Sequence, residues 1–238
     1  MTGLSTARLP LSRRALPVTG HVELWLTNLA DIPLLEEPAS GGHRQQQQAL
    51  KVRQRFFLRL LLGSYLGCPG KEIRFEFGVN GKPCLAEGLA TGGAQFNLSH
   101  SGNWLAVAVA RDLAVGVDIE CRRELPRAEP LARRFLSSAE ACAVAGQTDP
   151  ARSERFLSLW CRREALVKAM GASVVANLGR IALDPIGGHA LSLPAEWPDA
   201  AEWTLLEPAL PPELIGALAV PSTGQIVRTL VLECREPG

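Results

Sequence analysis

The chain has 238 residues, 47% hydrophobic and 21% charged, with a formal net charge of +1 at pH 7. This composition is typical of a folded globular protein with one large or two modest domains, and it excludes extensive disorder. The near-neutral charge argues against a nucleic-acid binder, which would have clustered excess lysine and arginine. No apolar run is long enough to span a membrane, and no secretory signal is evident, so we expect a cytoplasmic protein without membrane contact.

The first half of the chain predicts strands and one long helix. The helix is predicted because residues 44–66 contain no proline and no glycine before Gly63. The runs at 105–110 and 113–120, separated by a polar turn, predict a hairpin. The other predicted features are a loose leader (1–20), a strand (21–26), an irregular connection (27–43), and strands at 73–77 and 96–98.

The second half predicts two helical stretches followed by strands. The second stretch ends at Gly171, a suitable residue for closing a helix. Strands and helices do not alternate regularly, so the pattern predicts an α+β fold and not a parallel sheet. The predicted features are helices at 127–145 and 153–170 and strands at 180–183, 203–207, 215–220 and 226–232.

Two carboxylates lie at the end of an apolar strand, in the segment GVDIE. Asp118 and Glu120 are two residues apart, so they point to the same face of the strand while Val117 and Ile119 point to the other. Adjacent carboxylates repel each other, and solvent, a basic partner or a cation relieves the repulsion. Oxygen ligands of this kind suit a hard cation.

A second group of polar residues lies on the helix at 153–170. Trp160, Glu164 and Lys168 are four residues apart in turn, so they line one helical face. A solvent-exposed Glu–Lys pair is one interpretation. The other is a partly covered face on which Glu164 completes a metal site with Asp118 and Glu120, and Lys168 binds a phosphate.

Further candidates lie in two turns and on the long helix. Ser99 and His100 belong to the segment FNLSHSG, and Lys82 to the turn GKPC. Each of these is compatible with an ordinary solvated turn or with a phosphate contact. On the helix, three basic residues fall within a stripe of about 80° while Arg53 lies on the other side. The stripe, which is either a solvated face or an anion-binding wall, consists of Arg44, Lys51 and Arg55.

The ordered set GKPC, FNLSHSG, GVDIE and W-x-x-R-E-x-x-x-K closely resembles the 4′-phosphopantetheinyl transferases of the larger, surfactin-synthetase-activating type. The resemblance covers roughly residues 44–170. It implies a monomer of two pseudo-symmetric halves, at 1–111 and 112–238, each with a small, mostly antiparallel sheet packed on a long helix. The active site would lie in the cleft between the halves.

The resemblance also implies the reaction and its participants. The phosphopantetheine arm of coenzyme A would pass to a serine of an acyl or peptidyl carrier protein, releasing 3′,5′-ADP. Mg²⁺ would bind to Asp118, Glu120 and Glu164, and the base would be Glu164 or a metal-bound water. Coenzyme A would contact Lys82, Ser99, His100 and Lys168.

Two departures from the family pattern bear on coenzyme A binding. The lysine that commonly precedes the helical glutamate is Arg163 here, which keeps the charge with a different geometry. Residues 27–43 lack the basic residues that often hold the 3′-phosphate, and Lys51 and Arg55 are predicted to take over that role. The alternatives are a noncatalytic module that binds carrier proteins or coenzyme A, and a Mg²⁺-dependent pyrophosphatase acting on coenzyme A.

Overall fold

A computed structural model describes residues 4–32, 42–89, 92–222 and 226–233. The fold is mixed α+β, and no helix in these ranges is long and apolar enough to cross a membrane. The helices are α1 (His43–Leu66), α2 (Ala128–Phe135), α3 (Ser138–Ala145), α4 (Ala151–Ala169) and α5 (Val174–Asn177). The strands are β1 (Ser5–Arg8), β2 (His21–Asn28), β3 (Phe75–Phe77), β4 (Pro83–Leu85), β5 (Ala94–Ser101), β6 (Trp104–Arg111), β7 (Gly116–Cys121), β8 (Ala182–Leu183), β9 (Ala190–Ser192), β10 (Trp203–Leu206), β11 (Leu214–Pro221) and β12 (Ile226–Glu233).

The larger sheet has the strand order β1-β12-β2-β6-β5. Its β1–β12 and β12–β2 pairs are parallel, and the other two are antiparallel. This differs from the predicted mostly antiparallel sheet, because two distant ends of the chain meet here. The leader at 1–20 supplies β1, a strand that its sequence did not predict. Helix α1 covers one face of the sheet, where Trp25, Phe57, Leu61 and Val107 share a buried core.

A second, antiparallel sheet has the order β10-β11-β7 and is covered by α4. A further core fills the space between the two sheets, and it includes Leu24 and Ala108 from the first and Val117 and Leu218 from the second. The layers therefore run helix, sheet, sheet, helix. The edge strands β5 and β7 meet at the junction of the sheets, and this junction positions the candidate site.

The predicted hairpin of β6 and β7 is wrong. Strand β6 has β2 on one side and β5 on the other, so neither of its edges can pair with β7. Asp112 turns the chain with a positive φ of 50° and donates its backbone N–H to the Gly93 carbonyl. Residues 116–121 then pair with β11 in the second sheet.

Two other predictions need comment. The helical stretch at 127–145 is two helices, because Ser137 caps α3 and its side chain accepts the Glu140 N–H. The division of the chain after residue 111 stays a prediction, and β12, from beyond that division, completes the first sheet. Part of the irregular connection, residues 33–41, and Cys234 lie outside the described residues, and the five described cysteines have free thiols.

Candidate active site

The two carboxylates of GVDIE lie on the α4 side of strand β7. Val117 and Ile119 point between the sheets and are at most 1% exposed. Asp118 and Glu120 point the opposite way because side chains alternate along a strand. Asp118 is only 4% exposed, so it is a buried carboxylate that requires a partner.

Helix α4 approaches this strand closely because Gly116 has no side chain. A Cβ atom there would lie 1.9 Å from the Ala165 carbonyl oxygen and 2.5 Å from the Ala169 nitrogen. The absence of that atom lets the helix backbone rest against the strand. This contact brings the polar face of α4, with Glu164 and Lys168, to the carboxylates of β7.

The ammonium group of Lys168 connects these residues. Its Nζ lies 2.6 Å from Asp118 Oδ1 and 3.6 Å from Glu164 Oε2, and it donates to Ser99 Oγ at 3.1 Å. The side chains of Glu164 and Lys168 are 18% and 22% exposed. The predicted partly covered helical face is therefore confirmed, and the ammonium of Lys168 lies between Glu164 on the same face and Asp118 on β7.

Side chains of β5 complete the site from the first sheet. Asn97, Ser99 and Ser101 share one face of that strand and accept the backbone N–H groups of residues 117, 119 and 121 on β7. These three bonds join the free edge of β7 to β5, and we call them the seam. Ser99 also donates to Asp118 Oδ1 at 2.7 Å, and Ser101 to Glu120 Oε2 at 2.8 Å.

The environment of Glu164 favours its neutral form. Burial, together with the nearby carboxylates of Asp118 and Glu120, raises the pKa of Glu164 from an ordinary 4.5 to about 7, against the opposing effect of the Lys168 ammonium. Burial beside the same three carboxylates also raises the pKa of the Cys161 thiol. The three predicted metal ligands are thus close enough to affect one another electrostatically.

The donor chemistry of these carboxylates suits Mg²⁺, although they do not form a closed ligand set. Across the ranges described, no group of three or more histidine, cysteine, aspartate or glutamate side chains is arranged to hold a metal ion. Mg²⁺ is usually held by one or two carboxylates together with substrate phosphates and waters, so a preformed cage is not required. The ammonium of Lys168 neutralises part of the charge of Asp118 and Glu164, as a bound cation would.

Lys82 reaches the same helix from the β3–β4 turn. Its Nζ donates to the Lys168 carbonyl oxygen at 2.7 Å, and Asn80 donates to the Gly171 carbonyl at 2.9 Å. Burial lowers the pKa of Lys82. The turn of the GKPC segment therefore holds the C-terminal end of α4 and places a second lysine next to Lys168.

Comparison with known proteins identifies the family. The 4′-phosphopantetheinyl transferase superfamily matches residues 114–206, which contain all three carboxylates and Lys168. The 4′-phosphopantetheinyl transferase HetI of Nostoc sp. is 34% identical over 172 residues, covering 71% of this chain and 70% of that protein. The chain belongs to the 4′-phosphopantetheinyl transferase superfamily.

Two Bacillus members of the superfamily are similar as well. The 4′-phosphopantetheinyl transferase psf-1 of Bacillus pumilus is 32% identical, with 69% of this chain and 74% of that protein covered. The 4′-phosphopantetheinyl transferase Sfp of Bacillus subtilis is 30% identical over 125 residues, covering 52% of this chain and 53% of that protein. The family resemblance inferred from the motifs is confirmed, and the chain is an enzyme of the transferase class.

Other predicted contacts of this family member lie apart from the carboxylates. His100 is on the face of β5 opposite Ser99, and it is exposed on the side that packs on α1. Lys51 and Arg55 are exposed on α1, as the stripe predicts. In the described part of the chain, none of these three residues has a hydrogen bond or ion pair to the carboxylates. Their contacts with coenzyme A stay predictions.

Outside the basic stripe, helix α1 has one buried basic residue and two exposed apolar residues. Arg53 lies away from the stripe, as predicted, but it is buried and its Nε donates to the Ile32 carbonyl at 2.8 Å. Val52 and Phe56 are exposed, at 45% and 50%. The apolar residues of α1 therefore extend beyond the part of the helix that the fold covers.

Arg163, which stands where a lysine commonly precedes the glutamate in this superfamily, makes its contacts inside the protein. Its side chain is fully buried, forms an ion pair with Glu140, and donates to the carbonyl oxygens of Leu178 and Ile181. Burial lowers the pKa of Arg163, while Glu140 opposes that change. Arg163 therefore anchors α3 and the 178–181 turn to α4, a role that the sequence motif alone did not indicate.

Proposed function

We propose that this transferase moves the 4′-phosphopantetheine arm of coenzyme A to a serine of an acyl or peptidyl carrier protein and releases 3′,5′-ADP. The observation that supports this most is the convergence of Asp118, Glu120, Glu164 and Lys168 on β7 and α4. Buried carboxylates beside a lysine suit a pyrophosphate with a divalent cation. We propose further that the protein is a cytoplasmic monomer of two pseudo-symmetric halves with the site in the cleft between them.

Asp118, Glu120 and Glu164 are the residues that would hold Mg²⁺. When bound, Mg²⁺ supplies positive charge that neutralises the pyrophosphate as its negative charge shifts during transfer. With that positive charge in place, the partly exposed ammonium group of Lys168 would be available to contact a phosphate oxygen of coenzyme A.

The general base is proposed to be Glu164 or a metal-bound water. In the reaction, the serine hydroxyl oxygen bonds to the β-phosphorus, the bond from that phosphorus to the 3′,5′-ADP oxygen breaks, and the hydroxyl proton passes to a base. The pKa of about 7 for Glu164 applies to the protein without metal, and the positive charge of a bound Mg²⁺ would lower it. Glu164 and a metal-bound water therefore both stay candidates for this base.

Coenzyme A is proposed to lie across the junction of the two sheets. Ser99 on β5 and Lys82 in the β3–β4 turn lie beside Lys168 and would contact the phosphates or the nucleotide. His100 faces the α1 side of β5, so its contact requires the nucleotide to extend past the edge of that strand. On this proposal, the exposed stripe on α1 meets the 3′-phosphate.

The stripe makes a prediction about the 3′-phosphate. Lys51→Ala and Arg55→Ala should reduce the preference for coenzyme A over dephospho-coenzyme A, because charge-assisted hydrogen bonds contribute about 1.5–3 kcal/mol each. Titration calorimetry with both ligands measures this preference. The buried Arg53 is unsuitable as a control, so Lys71→Ala, at an exposed position outside α1, serves instead. An equal loss for both ligands would show that the stripe does not contact the 3′-phosphate, and no loss for either would assign the stripe to solvent.

The reaction itself is tested by the mass of a carrier protein. Wild-type protein with Mg²⁺, coenzyme A and an apo carrier should add the mass of one phosphopantetheine arm, and Asp118→Asn should remove most of this activity. A carrier whose modified serine is replaced by alanine is the substrate control, and Glu154→Gln, at an exposed site on α4, is the enzyme control. Cleavage of coenzyme A without carrier modification would favour the pyrophosphatase. Binding without either reaction would favour the noncatalytic module.

A further inference from the structure

Two serines of β5 repeat one bonding pattern along β7. Ser99 accepts the Ile119 N–H at 3.3 Å and donates to Asp118 Oδ1 at 2.7 Å. Ser101 accepts the Cys121 N–H at 2.9 Å and donates to Glu120 Oε2 at 2.8 Å. In each case the hydroxyl is fixed by the backbone and then fixes the preceding carboxylate.

The bond from Ser101 to Glu120 differs from the other contacts of the seam because of what surrounds Glu120. Arg123 also donates to Glu120 Oε2, at 2.8 Å, so two donors hold one oxygen. The other oxygen, Oε1, has no protein hydrogen bond in the described ranges. The Glu120 side chain is 22% exposed, so without these donors water would compete for both oxygens and the carboxylate would rotate.

We propose that Ser101 is a positioning residue for Glu120. Its hydroxyl acts through Glu120 and not on the substrate: it fixes Oε2 on the seam and leaves Oε1 available to the metal. This inference rests on the proposed role of Glu120 as a Mg²⁺ ligand. It assigns a function to Ser101, which lies two residues beyond Ser99, the serine that contacts Lys168.

The geometry explains why the hydroxyl, and not only the seam, matters. Asn97 makes the first seam bond, to the Val117 N–H at 2.9 Å, but it has no hydrogen bond to a carboxylate in the part of the chain described. Removing Asn97 therefore weakens the seam alone. Removing the Ser101 hydroxyl weakens the seam and also takes away one of the two donors that hold Glu120 Oε2.

The experiment measures metal binding without turnover. Mn²⁺ replaces Mg²⁺, and its free concentration is followed by electron paramagnetic resonance with protein alone and with coenzyme A. Loss of an outer partner of a metal ligand typically weakens metal binding by about 10–100-fold, so Ser101→Ala and Ser101→Val should weaken Mn²⁺ binding about 10-fold or more. Ser101→Thr, which has nearly the shape of valine but keeps the hydroxyl, should bind nearly as the wild type does.

Asn97→Ala is the matched control and should lower the unfolding temperature without a comparable loss of Mn²⁺ affinity. Equal Mn²⁺ affinities of the valine and threonine variants, or an equal loss in Asn97→Ala, would overturn the role of Ser101. If the alanine and valine variants do not fold, Arg123→Gln tests the same oxygen from outside the seam, and unchanged Mn²⁺ affinity would overturn the anchoring argument. A wild type that binds no Mn²⁺, even with coenzyme A, would instead overturn the proposed metal site together with this inference.

Discussion

The protonation of Glu164 makes a quantitative prediction about stability in the absence of metal. The pKa of this carboxyl is about 7 in the folded protein and near its ordinary 4.5 when the chain is unfolded. Between these values the folded state keeps a proton that the unfolded state has released. The free energy of unfolding therefore falls as pH rises from about 4.5 to 7.

The magnitude follows from the size of the shift. At about 1.4 kcal/mol for each pKa unit, the shift corresponds to a loss on the order of 3 kcal/mol by pH 8. Glu164→Gln removes the titrating group and with it this loss. Between pH 4.5 and pH 8, the stability of the variant relative to the wild type should therefore rise by on the order of 3 kcal/mol. Any effect of glutamine on packing adds the same difference at every pH and does not change this rise.

Urea unfolding in the presence of a chelator, at several pH values from 4.5 to 8, measures this difference. Glu154→Gln is the control on the same helix: it removes an exposed ion pair with Arg122 and should cost at most about 1 kcal/mol, with no gain toward pH 8. A difference between Glu164→Gln and the wild type that stays constant with pH would refute the argument. A loss of stability of the variant toward pH 8 would show that the attraction of Lys168 outweighs burial and the neighbouring carboxylates.

Two further variants test how α4 is held. Gly116→Ala should destabilise the protein by about 1–3 kcal/mol, because its Cβ would displace the helix backbone at Ala165, and it should also lower transfer activity; unchanged urea unfolding would contradict the close contact. Arg163→Ala should cost about 3–5 kcal/mol by leaving Glu140 buried without its partner, and replacing both residues with apolar ones should recover part of this loss. Additive losses in the double variant would refute the direct pairing.

The sequence by itself determined the local geometry of the site. Two-residue spacing places Asp118 and Glu120 on one face of a strand, and four-residue spacing places Glu164 and Lys168 on one face of a helix. The ordered motifs were also enough to indicate the family. These inferences depend only on the repeat of a strand or a helix, which is a property of neighbouring residues.

Only the tertiary structure decided how distant segments meet. The pattern of β6 and β7 favours a hairpin, but β6 is already paired on both edges, so β7 joins β11. The motif places Arg163 where the family commonly has a lysine, but only the packing of α3 on α4 shows that Arg163 pairs with the buried Glu140. Ser101 acquires its partner only because β5 and β7 adjoin at the edges of different sheets. Such contacts depend on which edges and faces remain available after the layers have packed, and no local repeat encodes that.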